Sequence, residues 1–212
     1  MGCLFAIAGP AAAFDGSQGR AGDSLPRGFV MDMARSAFRC AKARGEITKD
    51  VLTIIDYSLP SFARRLWVVD MTTGEMLNRE LVAHGRNSGG QFADRFSNEP
   101  GSRQSSLGLF RADETYQGRH GYSLRLTGLE PGVNDNARER AIVVHGADYV
   151  SADFIKRHGR LGRSWGCPSL RNEVAREVID EIKNGGALYV YHPARSGLVA
   201  SPYLSNDCIA SR

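Results

Sequence analysis

Hydrophobic and polar positions repeat with two different periods along this chain, and each period predicts one kind of element. Over 29–43 the apolar residues recur at helical spacing, which predicts an amphipathic helix. The same spacing over 169–183, ended by Gly185 and Gly186, predicts the clearest helix of the chain. Short runs rich in β-branched and aromatic residues, bounded by turn residues, predict strands instead. These runs lie at 51–57, 65–70, 76–83, 107–111, 122–127, 141–145 and 187–191.

The predicted elements describe a mainly β fold with flanking helices, which is the α+β class. With 212 residues the chain fits one domain with a sizeable core, and two small domains are the alternative. We expect a leader and flexible N-terminus over 1–27, one folded domain over 28–193 and a loosely ordered tail over 194–212.

The charge balance is mildly basic, with a formal net charge of +4 and a pI near 9.0. Lysines and arginines are scattered and never form a run of five or more, so we expect no nucleic-acid partner. A modest positive field suits an acidic cell-wall polymer equally well, and composition alone does not choose between the two. No stretch approaches the ~18 consecutive apolar residues of a membrane span, so we expect no membrane insertion.

The first residues, 1–14, form a short apolar segment that ends near Ala11, Ala12 and Ala13. This pattern is similar to the end of a secretory signal with a small-residue cleavage site, although the usual basic segment is missing. Either the true start lies upstream or the segment is a plain apolar leader. We expect an exported protein, either periplasmic or secreted.

The cysteines at positions 3, 40, 167 and 208 bear on the same question. If a leader is removed, three remain, and an odd number in an exported protein indicates one free thiol. We assign that thiol to Cys167. Cys40 and Cys208 then either form a disulfide or remain as two further free thiols.

Cys167 stands between Gly166 and Pro168 at the start of the second predicted helix. Proline suits the first helical position, because its missing N–H leaves no hydrogen bond unmade there. The positive end of the helix dipole would then stabilise a thiolate, so we expect a Cys167 pKa well below ~8.5. A buried, inert thiol is the structural alternative.

His145 ends an apolar strand pattern 22 residues before Cys167 and is followed by Gly146. A strand end mounts a base rigidly, and Cys–His catalysis needs sulfur and imidazole within hydrogen-bond reach. A buried histidine that bonds only backbone groups is the alternative interpretation. We expect His158, in a basic run, to be solvated, and no Cys/His spacing indicates a metal site.

An oxyanion needs N–H donors near the sulfur, and Pro168 has none to offer. The candidate donors are therefore the N–H groups of Trp165, Gly166 and Cys167. Gly166 also lets a substrate carbonyl approach closely.

Taken in order, these segments resemble a known family. VVHG at 143–146 followed by SWGCPSL at 164–170 is similar to the catalytic signature of the L,D-transpeptidases, in which a strand-end His precedes a Ser-x-Gly-Cys turn. Further segments, such as QSSLG at 104–108 and NDNA at 134–137, resemble the murein L,D-transpeptidase branch. The likeness extends over about 52–192.

The resemblance implies a β-sandwich or barrel with a helix after the cysteine turn, and a catalytic domain over 28–193. It implies that Cys167 attacks the third residue of a peptidoglycan tetrapeptide stem, that D-alanine leaves with a proton from His145, and that an amine or water resolves the thioester. No cofactor is implied. A hydrolase with the same acyl-enzyme and a non-catalytic wall-binding module are the competing hypotheses, and the oligomeric state stays open.

The resemblance also suggests roles for the neighbours of this pair. Arg163, Ser164 and Trp165 would shape the acyl pocket, with bracing of the turn as the alternative for Ser164. Tyr122, His120 and Gly146 are candidates for the groove, with packing or turn roles as the alternative for the first two. Trp165 takes the place of a histidine usual in the family, Pro168 replaces an aliphatic residue, and the long His-to-Cys interval predicts an enlarged loop over the site.

Overall fold

Within residues 24–194, eight strands form a single sheet that nearly closes into a barrel. The computed structural model describes residues 24–194, 201–205 and 208. The strands are β1 (Val51–Asp56), β2 (Arg64–Asp70), β3 (Met76–Leu81), β4 (Gly108–Gly118), β5 (Gly121–Gly128), β6 (Val143–Gly146), β7 (Ser169–Leu170) and β8 (Gly186–Tyr191). Their order across the sheet is β3-β2-β1-β8-β4-β5-β6-β7, and a bridge between Ala83 and Ser169 brings the two edges together. The flanking helices are α1 (Gly28–Ala43), α2 (Ala152–His158) and α3 (Asn172–Ile182), with a short 3-10 turn at Asp135–Ala137.

This architecture confirms the mainly β class with flanking helices. Each predicted strand has its counterpart, and most bounds agree within a residue or two. The exception is β4, which runs on to Gly118, because its second half is largely exposed and pairs only with β5, so it lacks an apolar signal. Among the described residues no helix combines the length and apolarity needed to cross a bilayer.

Two hydrophobic cores lie on the two faces of the sheet, and β1 contributes to both. Ile55 packs into the core that α3 closes, whereas Leu52 and Ile54 pack into the core that α1 covers. Successive side chains of a strand point to opposite faces, which explains how one strand serves two cores. The parallel pairing of β1 with β8 fixes the register at the centre of the sheet.

The predicted helix over 169–183 begins later than expected. Ser169 and Leu170 form β7, paired in parallel with His145 and Gly146, and α3 starts only after Arg171. In this extended conformation the backbone of β7 pairs with β6, and the side chain of Leu170 is fully buried in the core. The expectation that Cys167 lies at a helix N-cap is therefore wrong.

The interval between β6 and β7 contains a helix that the hydrophobic pattern did not predict. In α2 the Oγ of Ser151 caps the first turn by accepting the N–H of Phe154, and Gly159 ends the helix in the left-handed conformation. No side chain of α2 is fully buried, so the segment shows no apolar stripe. His158 is exposed at its end.

The described part of the C-terminal tail is held against α1. Cys208 forms a disulfide with Cys40, their Cα atoms 5.4 Å apart, and Cys167 is free. Tyr203 is 3% exposed, and the guanidinium of Arg44 stacks on its ring. This part of 194–212 is thus packed rather than loosely ordered. Of the leader and flexible N-terminus expected over 1–27, residues 1–23 lie outside the described residues.

Candidate active site

A cavity of about 450 Å³ opens between the β4–β5 hairpin, β6 and the turn that carries Cys167. Both candidate catalytic side chains, Cys167 and His145, line it. The charged side chains along its wall are all arginines, which gives the cavity a positive field suited to an anionic ligand. Its wall is formed by Tyr116, Arg119, His120, Arg140, Ala141, Val143, His145, Tyr149, Arg163, Ser164, Trp165 and Cys167.

Ser164 braces the turn that carries Cys167. Its Oγ accepts the N–H of Gly166 at 3.1 Å and donates to the carbonyl oxygen of Cys167 at 2.6 Å. Gly166 has a φ of +125°, and a Cβ there would lie 2.7 Å from the carbonyl oxygen of Gln104, so this position requires glycine. Because the Gly166 N–H is engaged, the N–H groups of Trp165 and Cys167 remain as candidate oxyanion donors.

The imidazole of His145 faces the cavity because of strand alternation. In the β5–β6 ladder Leu124 pairs with Val144, and Ser123 pairs with His145. Leu124 and Val144 belong to the core that α3 closes, so their neighbours point to the opposite face. That face is the cavity.

Two hydrogen bonds fix the orientation and tautomer of His145. Its Nδ1 lies 2.8 Å from the carbonyl oxygen of Gly146, and its Nε2 lies 3.0 Å from the Oγ of Ser169. A carbonyl only accepts, so Nδ1 carries the proton and Nε2 accepts from the Ser169 hydroxyl. The hydroxyl of Tyr149 lies 3.0 Å from the same Oγ. Gly146 thus orients the base, and a side chain there would clash with Asn172.

Cys167 and His145 share the cavity, and the described structure holds no direct hydrogen bond between them. The Sγ of Cys167 lies 3.7 Å from the carbonyl oxygen of Ala141. Burial raises the pKa of the Cys167 thiol, against smaller opposing effects of the Val143 N–H and of Arg140. Burial also lowers the pKa of the His145 imidazole. At neutral pH the free protein therefore holds both groups uncharged.

The expected helix-activated thiolate does not exist in this structure. The dipole of a helix acts within its first turn, and the N-cap of α3 is Arg171, beyond β7. Burial is then the largest influence on the sulfur, and it favours the thiol.

The tip of the β4–β5 hairpin covers the imidazole. The rings of His120 and His145 stack with centroids 4.4 Å apart and planes inclined by 23°. Burial lowers the pKa of His145 most and the hydrogen bond to Gly146 raises it, while the nearby His120 and Arg119 add smaller effects that lower it. The hairpin tip therefore disfavours the imidazolium.

Trp165 stands exposed beside the cavity, between two arginines. The guanidinium carbons of Arg103 and Arg119 lie 4.7 and 5.9 Å from the centre of its indole. Such cation–π contacts hold the ring in place while 59% of the residue stays accessible.

A buried arginine–histidine pair supports the start of the catalytic turn. Arg65 is fully buried and donates to the carbonyl oxygen of Val82 and to the Nδ1 of His84, the latter at 2.8 Å. The backbone carbonyl of His84 in turn accepts the N–H of Ser164 at 3.0 Å. Burial lowers the pKa of His84 to about 3, so its ring stays neutral and accepts from Arg65.

The expected groove residues divide into two groups. Arg163, Ser164, Trp165 and His120 line the cavity with the Cys–His pair. Gly146 does not line it and instead orients His145 through its carbonyl oxygen. Tyr122 does not line it either, because it shares a face of β5 with Leu124, packs on the core and donates from its hydroxyl to Asp180 of α3 at 2.6 Å. The groove role expected for Tyr122 is replaced by the packing role.

Sequence reasoning missed Ser169, Tyr149 and Arg140. Helical spacing predicts Ser169 in a helix, whereas only an extended backbone brings its hydroxyl beside His145. Arg140, which lines the cavity, is tied to a distant segment by donating to the carbonyl oxygens of Ser97 at 2.7 Å and of Gln104 at 2.6 Å. The position of Ser169 two residues after the cysteine was the sequence signal that could have identified it. Tyr149 and Arg140 could not be identified in this way, because their roles depend on contacts between distant segments.

The family model of the L,D-transpeptidase catalytic domain matches residues 27–191. Among solved structures the chain is similar to an L,D-transpeptidase from Mycobacterium smegmatis, with 18% identity and a TM-score of 0.42 over 68% of this chain and 59% of that chain. It is also similar to an L,D-transpeptidase from Stackebrandtia nassauensis, with 15% identity and a TM-score of 0.40 over 74% of this chain and 64% of that one. The chain therefore spans less than two thirds of the length of these proteins. No curated protein matches the sequence significantly.

Proposed function

Because the chain belongs to the L,D-transpeptidase catalytic domain family, we propose that it is a cysteine acyltransferase that acts on peptidoglycan tetrapeptide stems through a thioester at Cys167. The observation that carries the proposal is one cavity in which a free thiol and an uncharged imidazole lie among arginines. Acyl transfer by a thiol needs a nucleophile and a base of this kind. A wall-binding module has no use for either.

In the first half-reaction the acyl group moves to the enzyme. The Sγ of Cys167 leaves the Ala141 carbonyl and bonds to the carbonyl carbon of the third stem residue, a diamino acid. The thiol proton passes to the Nε2 of His145 as the Ser169 hydroxyl turns away from that nitrogen, and the N–H groups of Trp165 and Cys167 receive the oxyanion charge. The C–N bond to D-alanine then breaks, and the imidazolium returns the proton to the leaving amine.

The depressed pKa of His145 serves this second proton transfer. Burial and the neighbouring positive charge disfavour the imidazolium, so it is a stronger acid than free histidine. A stronger acid protonates the leaving amine more readily. The arginines of the cavity wall, Arg119, Arg140 and Arg163, attract the carboxylates of the stem.

In the second half-reaction an amine attacks the thioester. The side-chain amine of a neighbouring stem displaces Cys167, and a proton lost by that amine returns through His145 to the sulfur. If water attacks instead, the enzyme is an L,D-carboxypeptidase with the same acyl-enzyme. The two activities differ only in the nucleophile that enters.

One incubation tests the proposal. The wild-type protein and a Cys167→Ala variant are mixed with tetrapeptide muropeptides, and D-alanine and dimers are measured by mass spectrometry. We expect both products from the wild type and neither from the variant. D-Alanine without dimers would identify the carboxypeptidase, and no release from the wild type would contradict an enzyme acting on this substrate.

We also propose that the protein is exported to the cell envelope. The apolar segment at 1–14 supports this, and so does the Cys40–Cys208 disulfide, because disulfides persist mainly in oxidising compartments. Cell fractionation followed by sequencing of the mature N-terminus tests it. Recovery of the reduced, uncleaved chain in the cytosol would contradict export.

A further inference from the structure

A second cavity, of about 280 Å³, adjoins the one that holds Cys167. The two cavities share a wall formed by Tyr149, Arg163 and Trp165. In the described structure Cys167 and His145 line the first cavity and not the second. A molecule in the second cavity therefore adjoins the cavity of Cys167 and His145 without occupying it.

Three arginines line this second cavity: Arg86, Arg160 and Arg163. The Arg163 guanidinium donates to the carbonyl oxygen of Gly89 at 2.9 Å, and that of Arg160 donates to the carbonyl oxygen of Leu161 at 2.8 Å. None of the ion pairs found among residues 24–194 involves any of the three arginines. Positive charge is thus concentrated here, and the described ion pairs do not neutralise it.

The arginines repel one another. After burial, the charges of Arg160 and Arg86 are what lower the pKa of Arg163. Like charges that converge on one cavity are costly to the empty protein, and an anion that enters relieves the repulsion. The cluster therefore favours an anionic ligand.

The remaining wall indicates which anion fits. Phe154, Tyr149 and Trp165 supply aromatic surface beside the guanidinium groups. Guanidinium forks bind carboxylates through two parallel hydrogen bonds, and aromatic rings pack on the apolar parts of a peptide. A peptide that carries carboxylates meets both features.

We propose that this arginine cavity is a second binding site, for a carboxylate-bearing peptide, and that it holds the acceptor stem. The choice of the acceptor rests on the proposed transferase function. The acyl donor must occupy the first cavity, since Cys167 attacks it there. A peptide held by Arg86 and Arg160 is separated from the thioester only by the shared wall, so its amine approaches past Trp165.

The first test compares a double variant, Arg86→Gln with Arg160→Gln, with the wild type. Arg157→Gln is the matched control, because Arg157 is an exposed arginine of α2 that does not line either cavity. D-Alanine release and dimer formation are followed at fixed donor and increasing acceptor. Melting curves verify that the variants are folded.

At low acceptor concentration we expect the double variant to form about a hundredfold fewer dimers per D-alanine released, because each of the two lost charged hydrogen bonds weakens acceptor binding by roughly tenfold. Dimer formation should recover at high acceptor concentration. An acceptor whose carboxylates are amidated should react poorly with the wild type and be insensitive to the substitutions. The proposal would be overturned if the double variant formed as many dimers per D-alanine as the wild type. It would also be overturned if the double variant lost as much dimer formation with the amidated acceptor, or if Arg157→Gln lost as much as the double variant.

A binding measurement separates this proposal from the proposed function. A tripeptide stem is titrated calorimetrically into Cys167→Ala protein, with and without the two arginine substitutions. Binding that weakens about a hundredfold in the substituted protein supports the site even if the wild type releases no D-alanine. Equal binding overturns it, and so does inorganic phosphate that competes with the tripeptide at equal concentration, because that result indicates a phosphate site.

Discussion

Local sequence pattern predicts the face covered by α1 well and the turn that carries Cys167 poorly. In α1 the apolar spacing predicted the helix to within a residue, and buried side chains such as Val30 and Ala34 close a core. In the turn a similar pattern predicted a helix from Ser169, and the chain forms a strand. The apolar pattern is thus sufficient to predict secondary structure in α1 and insufficient to predict it in the turn.

The hydrogen bonds of the two regions explain the contrast. Backbone bonds of α1 join residues of the helix itself, so its own sequence specifies it. The turn depends on distant partners: Ser164 donates to the carbonyl of His84, and the carbonyl of Ser169 accepts the N–H of Ala83. Non-local pairing overrides helical spacing there.

If one region provides stability and the other chemistry, substitutions should separate the two properties. The largest expected effect is that of His145→Gln, which removes the base. General-base catalysis contributes about 10²–10⁴-fold, so D-alanine release should fall by that factor. Stopped assays and a melting curve check it; a loss of activity explained by unfolding would break the comparison.

The opposite effect is expected for the double variant Cys40→Ser with Cys208→Ser. The disulfide joins residues 168 apart, and removing such a link costs about 2–5 kcal/mol of unfolding free energy. Denaturant unfolding measures the loss. Activity at low temperature should persist, and a stable but inactive variant would contradict the separation.

Ser169→Ala sharpens the account of the base. Without the hydroxyl that donates to Nε2, the neutral imidazole loses stabilisation, so the pKa of His145 should rise and the rate should fall about tenfold. The acidic limb of the pH–rate profile should then move to higher pH. Ser169→Thr, which keeps a hydroxyl, is the control. If the acidic limb of the pH–rate profile does not move in Ser169→Ala, Ser169 does not set the pKa of His145.

The smallest effect concerns the thiol. Since burial raises the pKa of Cys167, its alkylation by iodoacetamide should inflect above the ordinary value of ~8.5. Rates measured across pH, with His145→Gln for comparison, check this. An inflection well below that value would contradict the raised pKa and would indicate a thiolate at neutral pH.

The sequence predicted the class of fold, the strands and the pairing of a cysteine with a histidine, because these depend on local periodicity and short motifs. It did not predict α2, which has no fully buried side chain, or the contacts of Ser169 and Arg140, which join segments far apart. For Tyr122 the sequence left a groove role and a packing role open, because the register that decides which side a strand residue faces comes from pairing.

Intact-protein mass spectrometry tests the central claim most directly. The wild type is mixed with tetrapeptide stem in the absence of an acceptor amine, quenched in acid and digested. We expect an adduct of the stem without its D-alanine, attached to Cys167 and slow to form in His145→Gln. Release of D-alanine with the adduct on another residue, or with an unmodified Cys167 throughout turnover, would contradict the claim.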